Sequence, residues 1–304
     1  MLKIFYQNCG GNQCVFRESN DLSFFFPFSA DILIIFTLGQ YTDIIRQERR
    51  YHMDTVHAQG RDAAQKNFER KEKKYLLSEG QYDALFRVLK DRLLEDEYSR
   101  TTIMSLYYDN ADYDLLGRSA DRPMYKEKFR IRSYGVPDDD SAVFAEIKKK
   151  FDGVVYKRRI QGKYREILDM LEGNMLPDRD IQIQKEILWM KERYDLIPAA
   201  FIGYDRTAYT SPEDPGFRLT LDSDIRYRLT ELDLRKGDRG ILLREPGFRI
   251  MEIKTAGNMP LWLTQILSEK KIYSGSFSKI GTCYKEVIVP ALRSGENDRR
   301  IQNV

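Results

Sequence analysis

Residues 125–134 read Tyr-Lys-Glu-Lys-Phe-Arg-Ile-Arg-Ser-Tyr, and this alternation is the most informative pattern in the chain. In an extended strand, successive side chains point to opposite faces of the sheet. One face of this strand would therefore carry its cations: Lys126, Lys128, Arg130 and Arg132. Phe129 and Ile131 would take the other face, as in a strand packed on a hydrophobic core. On one strand alone, such a charged run more often marks a solvated outer surface.

The same alternation recurs in other segments. In residues 217–229 every even position is polar, which predicts a common face for four charged residues: Asp222, Asp224, Arg226 and Arg228. Three Glu-x-Lys units lie on separate strand-like segments: Glu72 with Lys74, Glu146 with Lys148, and Glu252 with Lys254. Several predicted strands thus carry charge on one face, which a single solvated strand does not explain.

Two architectures accommodate such strands: an open sheet with a wet basic surface, or a closed antiparallel barrel whose charges point inward. About eight strands enclose room for side chains or one small ligand. Cations about 6 Å apart repel by roughly 3 kcal/mol per pair at an effective dielectric of about 20, so an inward cluster needs counter-charge. An anionic ligand with many oxygens supplies that charge, and the carboxylates among the cations indicate a divalent metal.

Helices are predicted between the strands. Ser78 and Gln81 have the spacing of a capping box ahead of an apolar helical stripe. Further helical patterns cover residues 164–171 and 181–196 and a segment that begins at Pro260. We therefore predict an α+β fold, in which helices pack outside antiparallel strands.

The composition limits the chemistry. The chain has 304 residues and a formal net charge of +3, because 50 Lys and Arg residues are nearly matched by 47 Asp and Glu residues. Three cysteines cannot build a disulfide framework or a thiolate zinc site, and they fit a reducing cytoplasm. Both histidines, His52 and His57, precede the predicted domain, which argues against a His-based triad, metal cluster or general base.

The two ends of the chain differ from its middle. We predict an atypical N-terminal extension, a domain and a polar tail: residues 1–65, 66–286 and 287–304. Residues 22–39 form an apolar stretch that Pro27 and Asp31 interrupt, and an aspartate near mid-span costs roughly 2.5–3.5 kcal/mol. We interpret the extension as an upstream segment or a misplaced start, with a weak membrane anchor as the alternative. The expected location is the cytoplasm, with membrane association left open.

Motifs across the predicted domain resemble the polyphosphate-polymerase domain of the vacuolar transporter chaperone (VTC) family, within the triphosphate tunnel metalloenzymes. The matching segments occur in order: residues 68–75, 105–110, 125–135, 146–150, 156–159, 204–209, 225–228, 251–254 and 277–279. Arg70 stands where the wider superfamily often has the first glutamate of a Glu-x-Glu-x-Lys motif. The chain resembles a bacterial-type member without the phosphate-sensing domain of the fungal proteins.

The resemblance implies a closed eight-stranded antiparallel β-barrel, the triphosphate tunnel, with helices packed outside. In such a tunnel, basic side chains hold a triphosphate and a glutamate binds Mn²⁺ or Mg²⁺. The residues implied as catalytic are Lys74, Arg130, Arg132, Lys148, Arg206 and Lys279. Those implied as substrate-binding, partly from strand face, are Lys126, Lys128, Lys150, Arg226, Arg228 and Lys254. Glu252 is the implied metal ligand, and Glu72 joins it from its strand face.

The resemblance further implies a metal-dependent polymerase that transfers the γ-phosphoryl of ATP to a growing polyphosphate chain. An acceptor phosphate is already ionised at neutral pH, so this transfer needs no general base, and a domain without histidine is consistent with it. A triphosphatase would need an oriented water, for which Glu72 or Glu146 could serve. Hydrolysis of inorganic or nucleoside triphosphate therefore stays open, as does a non-enzymatic polyanion-binding module.

The expected partners are ATP and polyphosphate rather than nucleic acid. A platform for single-stranded nucleic acid needs aromatic rings and cations on the same surface. Phe129 faces away from the cations of its own strand, as a core residue would. A membrane partner stays open.

Overall fold

The computed structural model describes the following parts of the chain: residues 13–17, 23–27, 71–121, 123–176 and 180–294. The chain divides into two units, Met1–Asn67 and Phe68–Val304. In the first unit, strands β1 (Gln13–Arg17) and β2 (Ser23–Pro27) form a two-stranded antiparallel sheet. Most of the predicted anchor stretch and the end of the predicted tail lie outside the described residues. Among the helices that the structure describes, none is long and apolar enough to cross a membrane.

The second unit is built on one antiparallel sheet of ten strands. The strands are β3 (Lys71–Leu77), β4 (Leu94–Asp109), β5 (Tyr125–Tyr134), β6 (Ala142–Phe151), β7 (Val154–Lys163), β8 (Ile197–Thr210), β9 (Arg218–Arg228), β10 (Ile241–Leu242), β11 (Arg249–Thr255) and β12 (Ser274–Gly275). The order of hydrogen-bonded neighbours is β12-β3-β11-β9-β8-β4-β5-β6-β7, and β10 pairs with β9. A two-residue turn joins β6 to β7, and both of its residues, Asp152 and Gly153, have positive φ, as a type I′ hairpin requires.

The sheet is open, which corrects the prediction of a closed eight-stranded barrel. The outermost strands β7 and β12 each pair with one neighbour, and no hydrogen-bonded ladder joins them within the described residues. Alternation shows which side chains share a face, but it carries no information on whether the first and last strands meet. The edge strand β12 has only two residues, so it offers few hydrogen bonds for closure.

Helices occupy the connections between strands and the C-terminal end of the described chain. They are α1 (Glu79–Leu89), α2 (Asp114–Ala120), α3 (Tyr164–Leu171), α4 (Ile181–Tyr194), α5 (Leu261–Glu269), α6 (Lys279–Cys283) and α7 (Val289–Arg293). The predicted capping box is confirmed, because Ser78 Oγ accepts from the Gln81 N–H at 3.3 Å and Gln81 Oε1 accepts from the Ser78 N–H at 3.2 Å. This box starts α1, and Ser78 is the single residue between the end of β3 and the start of the helix.

One face of the sheet packs on helices. Phe129 and Ile131 of β5 are buried in a cluster that includes Ile167 of α3 and Ile187 of α4. Met251 of β11 lies in a second buried cluster with residues of α1 and α5. The apolar face predicted for β5 is therefore confirmed.

The C-terminal helical segment, residues 279–293, packs on the opposite face. It combines α6 and α7 with a π-helical turn between them. Ile280 and Cys283 of this segment are buried in a cluster with Tyr204 of β8 and Ile225 of β9. The segment covers part of this face, and charged side chains occupy another part.

Candidate active site

The charged face lies on the side of the sheet opposite α1, α3, α4 and α5. We define it by its charged side chains and the cations that contact them: Glu72, Lys74, Lys128, Arg130, Arg132, Glu146, Lys148, Lys157, Arg206, Asp222, Glu252, Lys254 and Lys279. Ion pairs gather most of them into three clusters, around Asp222, Glu146 and Glu252. Each cluster joins residues from different strands or from a strand and a helix, so the folded sheet brings together positions that are distant in the chain.

The first cluster surrounds Asp222 of β9, which is 1 % exposed. Arg206 of β8 donates to its carboxylate from Nε at 2.6 Å and from Nη2 at 2.8 Å. Lys279, at the start of α6, donates to Oδ2 at 2.6 Å, and its Nζ lies 4.1 Å from the ring centroid of Tyr204. Burial opposes the charge of Asp222, but Lys279 and Arg206 outweigh it and lower the pKa of this carboxyl group. Asp222 is thus an anion that holds two cations in place.

The second cluster surrounds Glu146 of β6, which is 2 % exposed. Its Oε2 lies 2.8 Å from Arg130 Nε, 2.7 Å from Arg130 Nη2 and 3.6 Å from Arg132 Nη2. Lys157 Nζ of β7 lies 2.9 Å from the other carboxylate oxygen. Burial opposes ionisation of Glu146, but Arg130 and Lys157 outweigh it and lower the pKa of the carboxyl group. Arg130 also donates to the hydroxyl of Tyr107 at 2.9 Å, which links β5 to β4.

The third cluster joins β3 to β11. Lys74 lies opposite Glu252 in the strand register, and Glu72 lies opposite Lys254. Lys74 Nζ is 3.1 Å from Glu72 and 3.6 Å from Glu252, and Lys254 Nζ is 2.7 Å from Glu252 and 3.7 Å from Glu72. Burial opposes the charge of Lys74, but Glu252 and Glu72 outweigh it and raise the pKa of the ammonium group. Each lysine therefore contacts both carboxylates.

Glu72 and Glu252 are two neighbouring carboxylates that contact the same lysines, Lys74 and Lys254. Mg²⁺ is commonly bound by one or two carboxylates together with substrate phosphates, and it keeps several waters. Among the described residues, no three His, Cys, Asp or Glu side chains gather into a metal site. Both carboxylates contact the same two lysines, so they lie in one part of the charged face. Carboxylate oxygens are ligands that suit Mg²⁺ or Mn²⁺, with phosphates and water as the other ligands.

Two lysines of the charged face have no ion-pair partner among the residues that the structure describes. Lys128 of β5 and Lys148 of β6 lie directly opposite each other in register. Burial, followed by nearby cations, lowers the pKa of both ammonium groups. Lys126 and Lys150 form the next opposed pair, and Lys126 donates to the Ser119 carbonyl at 3.4 Å. Among the described residues, Lys128 and Lys148 thus make no ion pair with a carboxylate of the protein.

An electrostatic interaction between distant strands indicates that the open sheet is curved. Burial is the largest cause that lowers the pKa of Lys148, and the positive charge of Lys74 is the second largest. Lys74 lies on β3 and Lys148 on β6, and five strands separate β3 from β6 in the sheet order. On a flat sheet the six steps would span about 29 Å, well beyond the Debye length of about 8–10 Å. The charged face is therefore concave, although hydrogen bonds do not close it.

Arg226 and Arg228 do not lie on the charged face. Asp224 has a φ of 47°, and the β8–β9 register shifts between Gly203 and Asp205. This β-bulge moves the following even positions of β9 to the opposite face. The prediction that all four charged residues of β9 share one face is therefore wrong.

These two arginines instead hold the loop that follows β9. Arg226 contacts Asp205 at 3.0 Å and Asp238 at 2.7 Å. Arg228 donates to four backbone carbonyl groups, those of Glu231, Asp233, Gly237 and Arg239. Their guanidinium groups are committed to the fold, so we leave both arginines out of the candidate site.

Comparison with known protein families identifies the family of this chain. Its residues 69–288 match the model of the VTC domain family. The chain belongs to the VTC domain family. The family resemblance drawn from the sequence motifs is therefore confirmed. The match spans β3 to β12 and most of the C-terminal helical segment, and so it includes every residue of the charged face.

Solved structures with a similar arrangement come from several organisms. A candidate adenylate cyclase from Bacillus halodurans is 15% identical, with 69% of this chain and 95% of that chain covered and a TM-score of 0.42. A candidate adenylyl cyclase from Hippeastrum with a dominant triphosphatase activity is 18% identical. The match covers 74% of this chain and 95% of that chain, with a TM-score of 0.41. A Pyrococcus horikoshii protein is 14% identical. The match covers 71% of this chain and 99% of that chain, with a TM-score of 0.38. Likeness at this level assigns no activity to the VTC domain.

Sequence reasoning did not assign Asp222, Tyr107 or Lys157 to the site of this VTC domain. A signal for Lys157 was present, because Asp-Gly between two alternating segments is a strong hairpin signal. Pairing the segments across that turn places Lys157 opposite Lys148, beside Glu146. No comparable signal distinguishes Asp222 from Asp224, since both occupy even positions of the same segment.

Proposed function

We propose that the charged face binds a chain of phosphates and that the protein transfers the γ-phosphoryl group of ATP to polyphosphate. The observation that carries this proposal is the contrast between cations without partners and carboxylates that are all paired. Lys128 and Lys148 lack ion-pair partners among the described residues, whereas Glu72, Glu146, Asp222 and Glu252 each contact at least two cations.

A phosphate chain supplies the counter-charge that Lys128 and Lys148 lack. Their ammonium groups are partly desolvated and lie near other cations, so an anion bound between them would relieve both costs. Because the sheet curls, Lys74 can approach the same anion from the opposite side. A linear polyanion matches this row of cations better than a single carboxylate does.

The reaction requires positioning and charge stabilisation more than acid–base chemistry. An oxygen of the terminal phosphate of polyphosphate attacks the γ-phosphorus of ATP. A new P–O bond forms, the bond from that phosphorus to the bridging oxygen breaks, and ADP leaves with the electron pair. Arg130, Arg206 and Lys279 would neutralise charge on the transferred group, where such contacts are most effective.

The state of the carboxylates favours transfer to phosphate over transfer to water. Hydrolysis benefits from a group that accepts a proton from the attacking water or orients it. Glu146 is a poor base because Arg130 and Lys157 lower the pKa of its carboxyl group. Glu72 is held by both Lys74 and Lys254.

A divalent metal completes the proposed site. Glu252, with Glu72, would hold Mn²⁺ or Mg²⁺, and the bound ion would supply positive charge beside the phosphate oxygens. The lysines that now neutralise these carboxylates would then be available to the phosphate chain.

Product analysis tests the proposal. The purified protein is incubated with ATP and Mn²⁺ or Mg²⁺, and the products are separated on a gel that resolves polyphosphate from free phosphate. We expect polyphosphate and ADP. Accumulation of free phosphate alone would identify a triphosphatase, and binding without turnover would identify a polyanion-binding module. Arg235→Ala serves as the matched control, because Arg235 pairs with Asp139 and Asp233 away from the charged face.

A further inference from the structure

The charged face ends in a pair of aromatic rings. Tyr134 lies two residues beyond Arg132 on β5, and Phe144 lies two residues before Glu146 on β6. Because side chains alternate along a strand, both rings share the face of the cations. Their centroids are 5.8 Å apart and their planes meet at 89°. This is the combination of rings and cations that Phe129, on the opposite face, does not provide.

A guanidinium group extends the aromatic pair. Arg159 of β7 lies directly opposite Glu146 in register, and its guanidinium carbon is 4.8 Å from the centroid of the Phe144 ring. Proteins bind nucleobases by stacking them on aromatic rings and on arginine planes. Tyr134, Phe144 and Arg159 therefore form a surface of the required chemistry.

The exposure of Tyr134 fits a ligand-binding role better than a packing role. Tyr134 is 51 % exposed, whereas the ring of Phe129 on the other face of the same strand is 1 % exposed. A ring that serves the core is buried, but Tyr134 keeps half of its surface available. Its Cα position is about 7 Å along the strand from that of Arg132, so a base stacked there would adjoin phosphates held by the β5 arginines.

We propose that Tyr134, Phe144 and Arg159 form the nucleobase subsite for the phosphoryl donor. This inference rests on the proposed function, because it assumes that the phosphates of a nucleotide occupy the charged face. The base stacks on the exposed ring of Tyr134 or against Phe144 and Arg159, and the triphosphate runs from there toward Arg132 and Arg130. The face therefore binds a nucleoside triphosphate through its base as well as through its phosphates.

Paired binding measurements on the full chain test the subsite. Calorimetry compares ATP with inorganic tripolyphosphate, each with Mg²⁺, because only ATP carries a base. Alanine substitution of a stacking residue costs about tenfold or more in affinity. We expect Tyr134→Ala to weaken ATP binding by about that factor and to leave tripolyphosphate binding within about twofold of the wild type. Tyr134→Phe, which keeps the ring, should bind ATP as the wild type does.

Tyr156→Ala is the matched control. Tyr156 is 42 % exposed and lies on β7, opposite Lys149 and on the other face of the sheet. It should change neither affinity. Unchanged ATP binding in Tyr134→Ala, or an equal loss for both ligands, would overturn the subsite, as would a wild type that binds tripolyphosphate but not ATP. A wild type that binds neither ligand would overturn the proposed function together with the subsite.

Discussion

Lys279 donates a hydrogen bond of 2.6 Å to Asp222, and this contact ties the C-terminal helical segment to the middle of the sheet. The same carboxylate accepts two hydrogen bonds from Arg206. Because Asp222 is buried, the two cations depend on it for their local counter-charge. The residue thus supports both the fold and the arrangement of the charged face.

Asp222→Asn should destabilise the protein by about 3–5 kcal/mol, because removal of one partner leaves buried charges uncompensated. The measurement is the free energy of unfolding from urea titration. Asp140→Asn is the control, since that side chain is 81% exposed and its ion pair with Lys163 is worth at most about 1 kcal/mol. Equal stability of Asp222→Asn and the wild type would show that the carboxylate does not hold the two cations.

Stability should fall at acidic pH. The folded protein lowers the pKa of Asp222 and Glu146, so their stabilisation is fully present above their unfolded pKa values of about 4. It is lost as the pH falls through the folded pKa values, because protonation removes the charge that the cations require. Urea midpoints measured between about pH 2 and 7 test this, and Glu146→Gln should flatten the curve. A wild-type midpoint that stays constant over this range would contradict it.

Lys128→Met should raise stability and weaken the binding of phosphate chains. The change removes a partly desolvated charge that other cations repel, but it also removes a contact to the ligand. A hydrogen bond to a charged group is worth about 1.5–3 kcal/mol, which corresponds to about tenfold or more in affinity for tripolyphosphate. Lys236→Met, on an exposed lysine in the loop after β9, should change neither property. Tighter or unchanged tripolyphosphate binding in Lys128→Met would place the ligand elsewhere.

Arg206 and Arg226 should respond differently to removal, although both are arginines of the central strands. Arg206→Ala should abolish the proposed polyphosphate synthesis, because Arg206 lies on the charged face. Arg226→Ala should lower stability by loosening the loop held through Asp205 and Asp238, while the rate per folded molecule stays near that of the wild type. The two rates, each normalised to the folded fraction, test this. Equal loss of rate in both variants would contradict the separation by the β-bulge.

Local patterns predicted much of this arrangement. Alternation along β5 separates Phe129 from Arg130 correctly, because face assignment follows from backbone geometry within one strand. Ser78 and Gln81 mark the start of α1 for a similar reason, since a capping box needs only residues three apart. The Glu-x-Lys unit of β11 likewise becomes an ion pair, between Glu252 and Lys254.

Features that depend on several strands were not predictable in this way. The bulge at Asp224 reverses the face of Arg226, and nothing in an alternating segment marks one position for a positive φ. Closure of the sheet was predicted wrongly because it depends on hydrogen bonds between its two edges. The role of Asp222 emerges only when Lys279, from a distant helix, meets Arg206 on the neighbouring strand.

A crystal structure of the protein with inorganic tripolyphosphate and Mn²⁺ tests the central claim most directly. We expect the phosphates between Lys128, Lys148 and Arg130 on the concave face, with density for the metal at Glu252. Phosphates bound only on the outer, helix-covered side of the sheet, or on surface lysines in bulk solvent, would contradict the account.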